Sequence, residues 1–247
     1  MTGSLPLSGE PAHVVHVIGA LNTGGAEKML LNFLGAVDRA RYRHTIVCLT
    51  ARGDMAAEAE AMGVPVVLFP VRMRRLPLDV ARFADWMRRE DVRIVHSHMY
   101  FASFWSRLAA LRAGVPVLIT TEHGKEPWKT WWQSRIDRFL SRRTHHHIAV
   151  SDDIRNIRIE RDGIDPARIT LIPNGVPIPN LKGAEQLRAE LRTELGLASD
   201  EKVIGSVGRV IHAKAYPDLL AAFVLARRLV PGLRWLQIGD GPDLADL

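Results

Sequence analysis

The sequence is short of cysteine, of long apolar runs and of early positive charge. Its one cysteine, Cys48, excludes an internal disulfide and a zinc site built from thiolates; set in an apolar strand pattern, it reads as a small core residue. No window approaches the ~18 consecutive apolar residues of a membrane-spanning helix. No lysine or arginine precedes Lys28, so the charged start of a secretory signal is missing and a cytoplasmic location is expected. A dinucleotide fingerprint is also lacking: no G-x-G-x-x-G follows the first strand, and the second ends Cys48-Leu49-Thr50 without an acidic residue. Internal repeats and low-complexity segments are absent.

What is present describes a globular chain, with 47% apolar and 24% charged residues and ample material for a core. At roughly 150 residues per domain, the 247 residues exceed one domain and fall short of two. The net charge of +6 permits anionic partners: nucleic acid, nucleotide phosphates or an acidic membrane face. Between Lys125 and His147 six cations (Lys125, Lys129, Arg135, Arg138, Arg142, Arg143) face two acids, Glu126 and Asp137, and Trp128, Trp131 and Trp132 share the stretch.

Short β-branched runs alternate with helical periods, the pattern of an α/β protein with an open parallel sheet. The strands are expected at Val14–Ile18, Thr45–Leu49, Val64–Phe69, Val92–His96, Val115–Thr120, Ile148–Val150 and Ile169–Ile172. Several are apolar on both faces, as strands covered on each side by helices are. The first helix buries a continuous stripe of Ala26, Met29, Leu30, Phe33, Leu34 and Val37. Further helices are expected over Leu78–Glu90 and Arg135–Arg143. Three prolines and a glycine between Pro173 and Asn180 mark a boundary. Beyond it the pattern restarts, with helices near Gly183–Leu195 and Asp218–Val230 and strands at Val203–Val207 and Arg234–Ile238. The expected domains are therefore 1–178 and 179–247, the second with too few strands to close a sheet.

Chemistry-bearing residues cluster where parallel strands end. Asn22-Thr23-Gly24-Gly25-Ala26-Glu27 joins the first strand to the first helix, and glycines there let backbone approach a phosphate or a sugar, although a tight turn needs them too. His96 and His98 end the fourth strand on one face; hydrogen-bonded structural histidines are favoured over metal chelation, because no nearby carboxylate or cysteine completes a site. After the fifth strand, Glu122-His123-Gly124 serves either as a turn or as a donor and acceptor set for a polyhydroxylated ligand. In His145-His146-His147 one imidazole is expected exposed and one buried. Arg209 and Lys214, on the loop after Val207, can clamp a diphosphate.

Taken together, these landmarks resemble the retaining, nucleotide-sugar-dependent glycosyltransferases of group 1, the family-4-like enzymes with the GT-B fold. The resemblance rests on Gly24 to Glu27, Asp91 to His98, Glu122-His123-Gly124, Ala149-Val150-Ser151, Ile172 to Val176, Gly205 to Lys214, and Leu236 to Pro242. It implies a complete N-terminal Rossmann-like domain on the acceptor side and the start of a second, nucleotide-sugar-binding domain. By position it implies that Arg209 and Lys214 hold the donor diphosphate, that Gly24 and Gly25 approach it, and that His123 contacts the transferred sugar. Glu27, His98, Glu122 and Asn174 would stand at the acceptor or site edge. No metal or cofactor is implied, the nucleotide-sugar being a co-substrate, and the leaving phosphate would accept the acceptor's proton, which removes the need for paired hydrolase carboxylates.

The chain departs from the pattern in two places. Ala213-Lys214-Ala215 stands where the family shows Glu-Lys-Gly, and the family's later acidic motif is absent, so a C-terminally truncated enzyme that by itself turns over poorly or not at all is expected. A catalytically incomplete α/β remnant or binding module of the same ancestry is the alternative reading. The tryptophans among cations between Lys125 and Arg143 either meet an anionic bilayer or pack inward, and no nucleic-acid recognition pattern is present. The expected partners are thus a nucleotide-sugar, a glycan or lipid-linked acceptor, and the inner face of a membrane.

Overall fold

β-Branched and aliphatic residues crowd the first strand, and it becomes the centre of the sheet. The computed structural model describes residues 10–246, so residues 1–9 and 247 of the expected domain ranges lie outside the described residues. The first unit runs β1 (Ala12–Ile18), α1 (Gly25–Ala36), β2 (Tyr42–Cys48), α2 (Ala56–Ala61), β3 (Val66–Leu68), α3 (Leu76–Arg89), β4 (Val92–His98), α4 (Met99–Ala113), β5 (Val117–Glu122), α5 (Trp131–Ser141), β6 (His146–Ala149), α6 (Asp152–Glu160) and β7 (Ile169–Leu171). Its seven strands lie in the order β3-β2-β1-β4-β5-β6-β7, and every neighbouring pair is parallel. All seven expected strands are present. β3 and β7 are trimmed to three residues, because an edge strand has a partner on one side only.

Pleating divides the core in two. Ile18, Ile46 and Cys48 face Leu30, Leu31 and Leu34 of α1 together with α2. Val15, Val17, Val47 and Val95 face Phe83 and Met87 of α3 and Trp105 of α4. Each fully buried large aliphatic contributes roughly 1.5–3 kcal/mol. Burial pushes the Cys48 thiol up to about 11, in keeping with a core role.

Two helices depart from expectation. The buried stripe of α1 is Leu30, Leu31 and Leu34, while Phe33 is 45% exposed; the helix is rolled so that Phe33 lies over the His16 ring, with centroids 5.8 Å apart. α5 begins four residues earlier than its apolar period, because Thr130 and Gln133 close a capping box ahead of Trp131.

The second unit, parted from the first between Pro177 and Ile178, runs α7 (Ala184–Glu194), β8 (Val203–Val207), α8 (Tyr216–Leu229) and β9 (Arg234–Ile238). β8 and β9 pair in parallel. Val210, Tyr216 and Leu233 are its buried apolar residues, whereas Leu187, Leu225 and Leu229 stand exposed.

Candidate functional site at the strand switch point

Strand order reverses beside β1: β2 and β3 lie to one side, and the chain then returns to place β4 on the other. In open parallel sheets ligands bind beyond the carboxyl ends of strands at such a point. The glycine loop follows β1, and His98 ends β4, so both belong to this edge. Gly53 anchors the loop with a positive φ of 78° and a close approach to the Leu21 backbone that leaves no room for a Cβ. A Cβ on Gly24 would collide with the Glu27 carboxylate, whereas one on Gly25 would meet nothing within 4 Å. The Glu27 carboxylate is the free end of a flexible side chain and can give way, so packing accounts for neither glycine. Glu27 folds back over the N-terminus of α1, where the helix dipole favours negative charge.

Alternation brings Thr121 and His123 to the same face as His96 and His98. His96 Nε2 lies 2.7 Å from Thr121 Oγ1, and His98 Nδ1 lies 3.2 Å from His123 Nε2. Burial is the leading cause that pushes His96 down to about 3 and His123 down to about 4, and it holds His98 well below the usual imidazole range. All three rings are neutral near pH 7. Met99, directly after His98, takes a left-handed φ of 65°, a strained conformation for a side-chain-bearing residue that concentrates at functional sites. A cavity of about 120 Å³ is walled by Phe33, His96, His98, Thr121, Ile172 and Asn174; Asn174 is exposed at its rim.

Glu122 does not join this group. One residue before His123, it points to the opposite face and is 2% exposed; its carboxylate lies 3.7 Å from Arg158. There it borders a buried ion cluster. Asp137 pairs with Arg107 of α4, Lys129 and Arg158 of α6, and Asp162 lies 2.7 Å from Arg158 and 3.1 Å from Lys129. Asp137 is held well below the usual carboxylate range by those cations, against the burial that opposes it. Glu122 is pushed up to about 8 by burial, with both carboxylate oxygens lacking a hydrogen-bond partner. The site-edge expectation for Glu122 is corrected accordingly. Sequence reasoning missed Arg158 and Asp162, whose i, i+4 spacing looks like an ordinary surface pair. His147 is buried, hydrogen-bonded at 2.7 Å to Thr120 Oγ1, and His145 is exposed.

In the second unit, the Gly208 carbonyl accepts from Tyr216 Oη at 3.1 Å and from Gln237 Nε2 at 3.2 Å, which fixes the loop after β8. Arg209 and Lys214 are exposed on it. Ala215 adopts φ 51° and ψ 42°, so the left-handed turn suited to the family's glycine persists with alanine in it, at a cost of about 1–2 kcal/mol.

The tryptophans of α5 do not pack inward: Trp131 is 75% and Trp132 47% exposed, alongside exposed Arg135, Arg138 and Arg142. Arg138, Arg142 and Arg168 line a neighbouring depression of about 470 Å³.

Comparison with known proteins agrees with this geometry. EpsF of Bacillus subtilis strain 168 is 29% identical over 245 residues, covering 93% of this chain and 62% of that protein. The UDP-Gal:alpha-D-GlcNAc-diphosphoundecaprenol alpha-1,3-galactosyltransferase of Escherichia coli is 29% identical over 170 residues, 65% of this chain and 44% of the relative. The chain thus spans less than two thirds of either relative's length. Among solved structures, Anabaena HepE in complex with UDP and glucose superposes with a TM-score of 0.74 at 20% identity, covering 92% of this chain and 61% of that one, which shows the shared GT-B fold. The profile of Glycosyltransferase Family 4 matches residues 23–178. That match runs from the glycine loop to the end of the first unit and takes in well over half of the chain, which therefore belongs to Glycosyltransferase Family 4.

Proposed function

We propose that this chain carries the glycosyl-transfer machinery that moves a sugar from a nucleotide-sugar to a glycan or lipid-linked acceptor, with retention, in polysaccharide or glycoconjugate biosynthesis. The observation that carries the reading is the switch-point edge, where the uncrowded Gly25 and the linked pair His98 and His123 stand at the ends of β1, β4 and β5. Gly24 and Gly25 let the donor's phosphates approach the N-terminus of α1. Arg209 and Lys214 offset the diphosphate charge as the bond from sugar C1 to the phosphate oxygen breaks. The acceptor oxygen bonds to C1 on the same face, and its proton passes to the departing phosphate. His123, neutral and oriented by His98, contacts the transferred sugar through a hydroxyl. Glu27 and Asn174 take acceptor hydroxyls at the rim.

The relative from Escherichia coli acts on a diphosphoundecaprenol-linked sugar, and the exposed Trp131 and Trp132 among arginines suit an anionic bilayer surface. We place the chain in the cytoplasm, peripheral on the membrane's inner face; among the described residues no helix is long and apolar enough to cross it. The test is incubation with a panel of nucleotide-sugars and lipid-linked acceptors, with the product anomer read by NMR. Transfer with the donor's anomeric configuration is expected, lost in the Arg209→Ala, Lys214→Ala double variant. An inverted product overturns retention, and donor binding indifferent to both cations overturns their role. Donor binding without turnover would favour the binding-module reading.

A further inference from the structure

Three histidines converge on one spot. His16 on β1 and His96 on β4 are register partners across adjacent parallel strands, and His98, two residues on, shares the face of His96. One ring nitrogen from each lies within 4.8 Å of the other two. One nitrogen of every ring is engaged: His16 Nε2 meets His44 Nδ1 at 3.0 Å, His96 Nε2 meets Thr121 Oγ1, and His98 Nδ1 meets His123 Nε2. That leaves His16 Nδ1, His96 Nδ1 and His98 Nε2. His16 and His98 are 0% and 1% exposed, and their remaining nitrogens have no hydrogen-bond partner. A buried polar atom left so costs about 1–3 kcal/mol, and a ligand shared by the rings would satisfy both.

We propose that His16, His96 and His98 form a binding site for one borderline divalent transition-metal ion of the zinc, cobalt(II) or nickel(II) class. The donor set is three imidazoles, which suits those ions and not magnesium or calcium, whose sites are built from oxygen. Three protein ligands leave a coordination position open, and His96 and His98 wall the cavity of about 120 Å³ from which an ion and a water would enter. Zinc–nitrogen bonds of about 2.0–2.1 Å set ligand nitrogens some 3.3 Å apart, so the three rings, now within 4.8 Å, would draw together around an ion. His44, Thr121 and His123 already hold the outer nitrogens, the second layer that such ligands need. Neutral imidazoles present their lone pairs without a proton to displace.

The site also bears on the proposed role of His123, a consequence that rests on that reading while the site itself does not. Metal on His98 Nε2 leaves its proton on Nδ1, which then donates to His123 Nε2 and fixes the His123 proton on Nδ1.

The test uses the untagged full chain, titrated with cobalt(II) and followed by visible absorption, then with zinc by calorimetry. One equivalent, with the intense absorption of a tetrahedral site, is expected. His16→Gln, His96→Gln and His98→Gln each abolish it, Thr121→Val weakens it by about tenfold, and His145→Gln with His146→Gln leaves it unchanged. Circular dichroism checks the fold of each variant. If one fails to fold, X-ray absorption of the zinc-loaded wild type decides, with three histidine nitrogens expected. No stoichiometric uptake, a shell of oxygens, or binding that follows His145 and His146 overturns the site. None of these readouts involves sugar transfer, so their failure leaves the glycosyltransferase reading standing, and inactivity leaves the metal site standing.

Discussion

At the carboxyl edge of β4 and β5 the two faces of one sheet treat polarity in opposite ways. On the α1 side, His16, His96, His98 and His123 are neutral, and His16, His98 and His123 each keep a ring nitrogen without a hydrogen-bond partner. On the other side, Arg107, Lys129, Asp137, Arg158 and Asp162 are charged and share partners. A buried charge is tolerable only when it is paired, and these side chains pair with one another across α4, α5 and α6, so the ionic face reads as a brace, although Arg158 Nε and Nη2 and both Glu122 oxygens keep no hydrogen-bond partner. A neutral ring with one idle nitrogen costs less and keeps a valence available. Glu122, the last residue of β5, and His123, the next residue, fall on either side of this divide.

The largest expected effect lies on the ionic side. Asp137→Ala, which strands Arg107 and leaves Arg158 and Lys129 to Asp162, should cost about 3–5 kcal/mol in urea unfolding, against no more than about 1 kcal/mol for His98→Gln in the metal-free chain. Equal losses would break the contrast. His123→Ala should do the reverse, lowering sugar transfer by about 100-fold while the urea midpoint stays in place; a drop in both would make His123 part of the brace.

A third expectation concerns pH. Glu122 has a folded value near 8 against an ordinary 4.5. Between those values the unfolded chain has given up the proton that the native chain keeps. Its contribution to stability is therefore full below about 4.5 and is lost as pH rises through about 8. Stability measured from pH 5 to 8 should fall less in Glu122→Gln than in the wild type, and parallel curves would show that Glu122 is ionised in place. The smallest effect, outside both faces, is Ala215→Gly, expected to stabilise the second unit by about 1 kcal/mol in hydrogen exchange, with no change at the histidines.

Most of the frame was legible because strand and helix periods are local. The strands from β1 to β9 carry their own signal, and so does the Pro173–Asn180 break. α4 was not singled out, since it is apolar almost all round, with Tyr100, Ala102, Trp105, Ala109 and Ala110 buried, and it offers no polar stripe to contrast with. The site was half legible. Gly25, His98 and His123 announce themselves at strand ends, but His16 joins His96 only through the pairing of β1 with β4, a register that no local window contains. The ionic brace was hidden for the same reason: Asp137 looked like a stray acid in a basic helix until its partners arrived from α4 and α6.

That single carboxylate has a kinetic consequence. Because Asp137 ties α5 to Arg107 of α4, to Arg158 of α6 and to Lys129 in the segment before its own helix, none of these helices can swing from the sheet without exposing the charges of the others. Their amide protons should exchange with solvent at one shared rate, as a single opening unit, while α1, which has no tie to Asp137, opens on its own schedule beside the proposed donor.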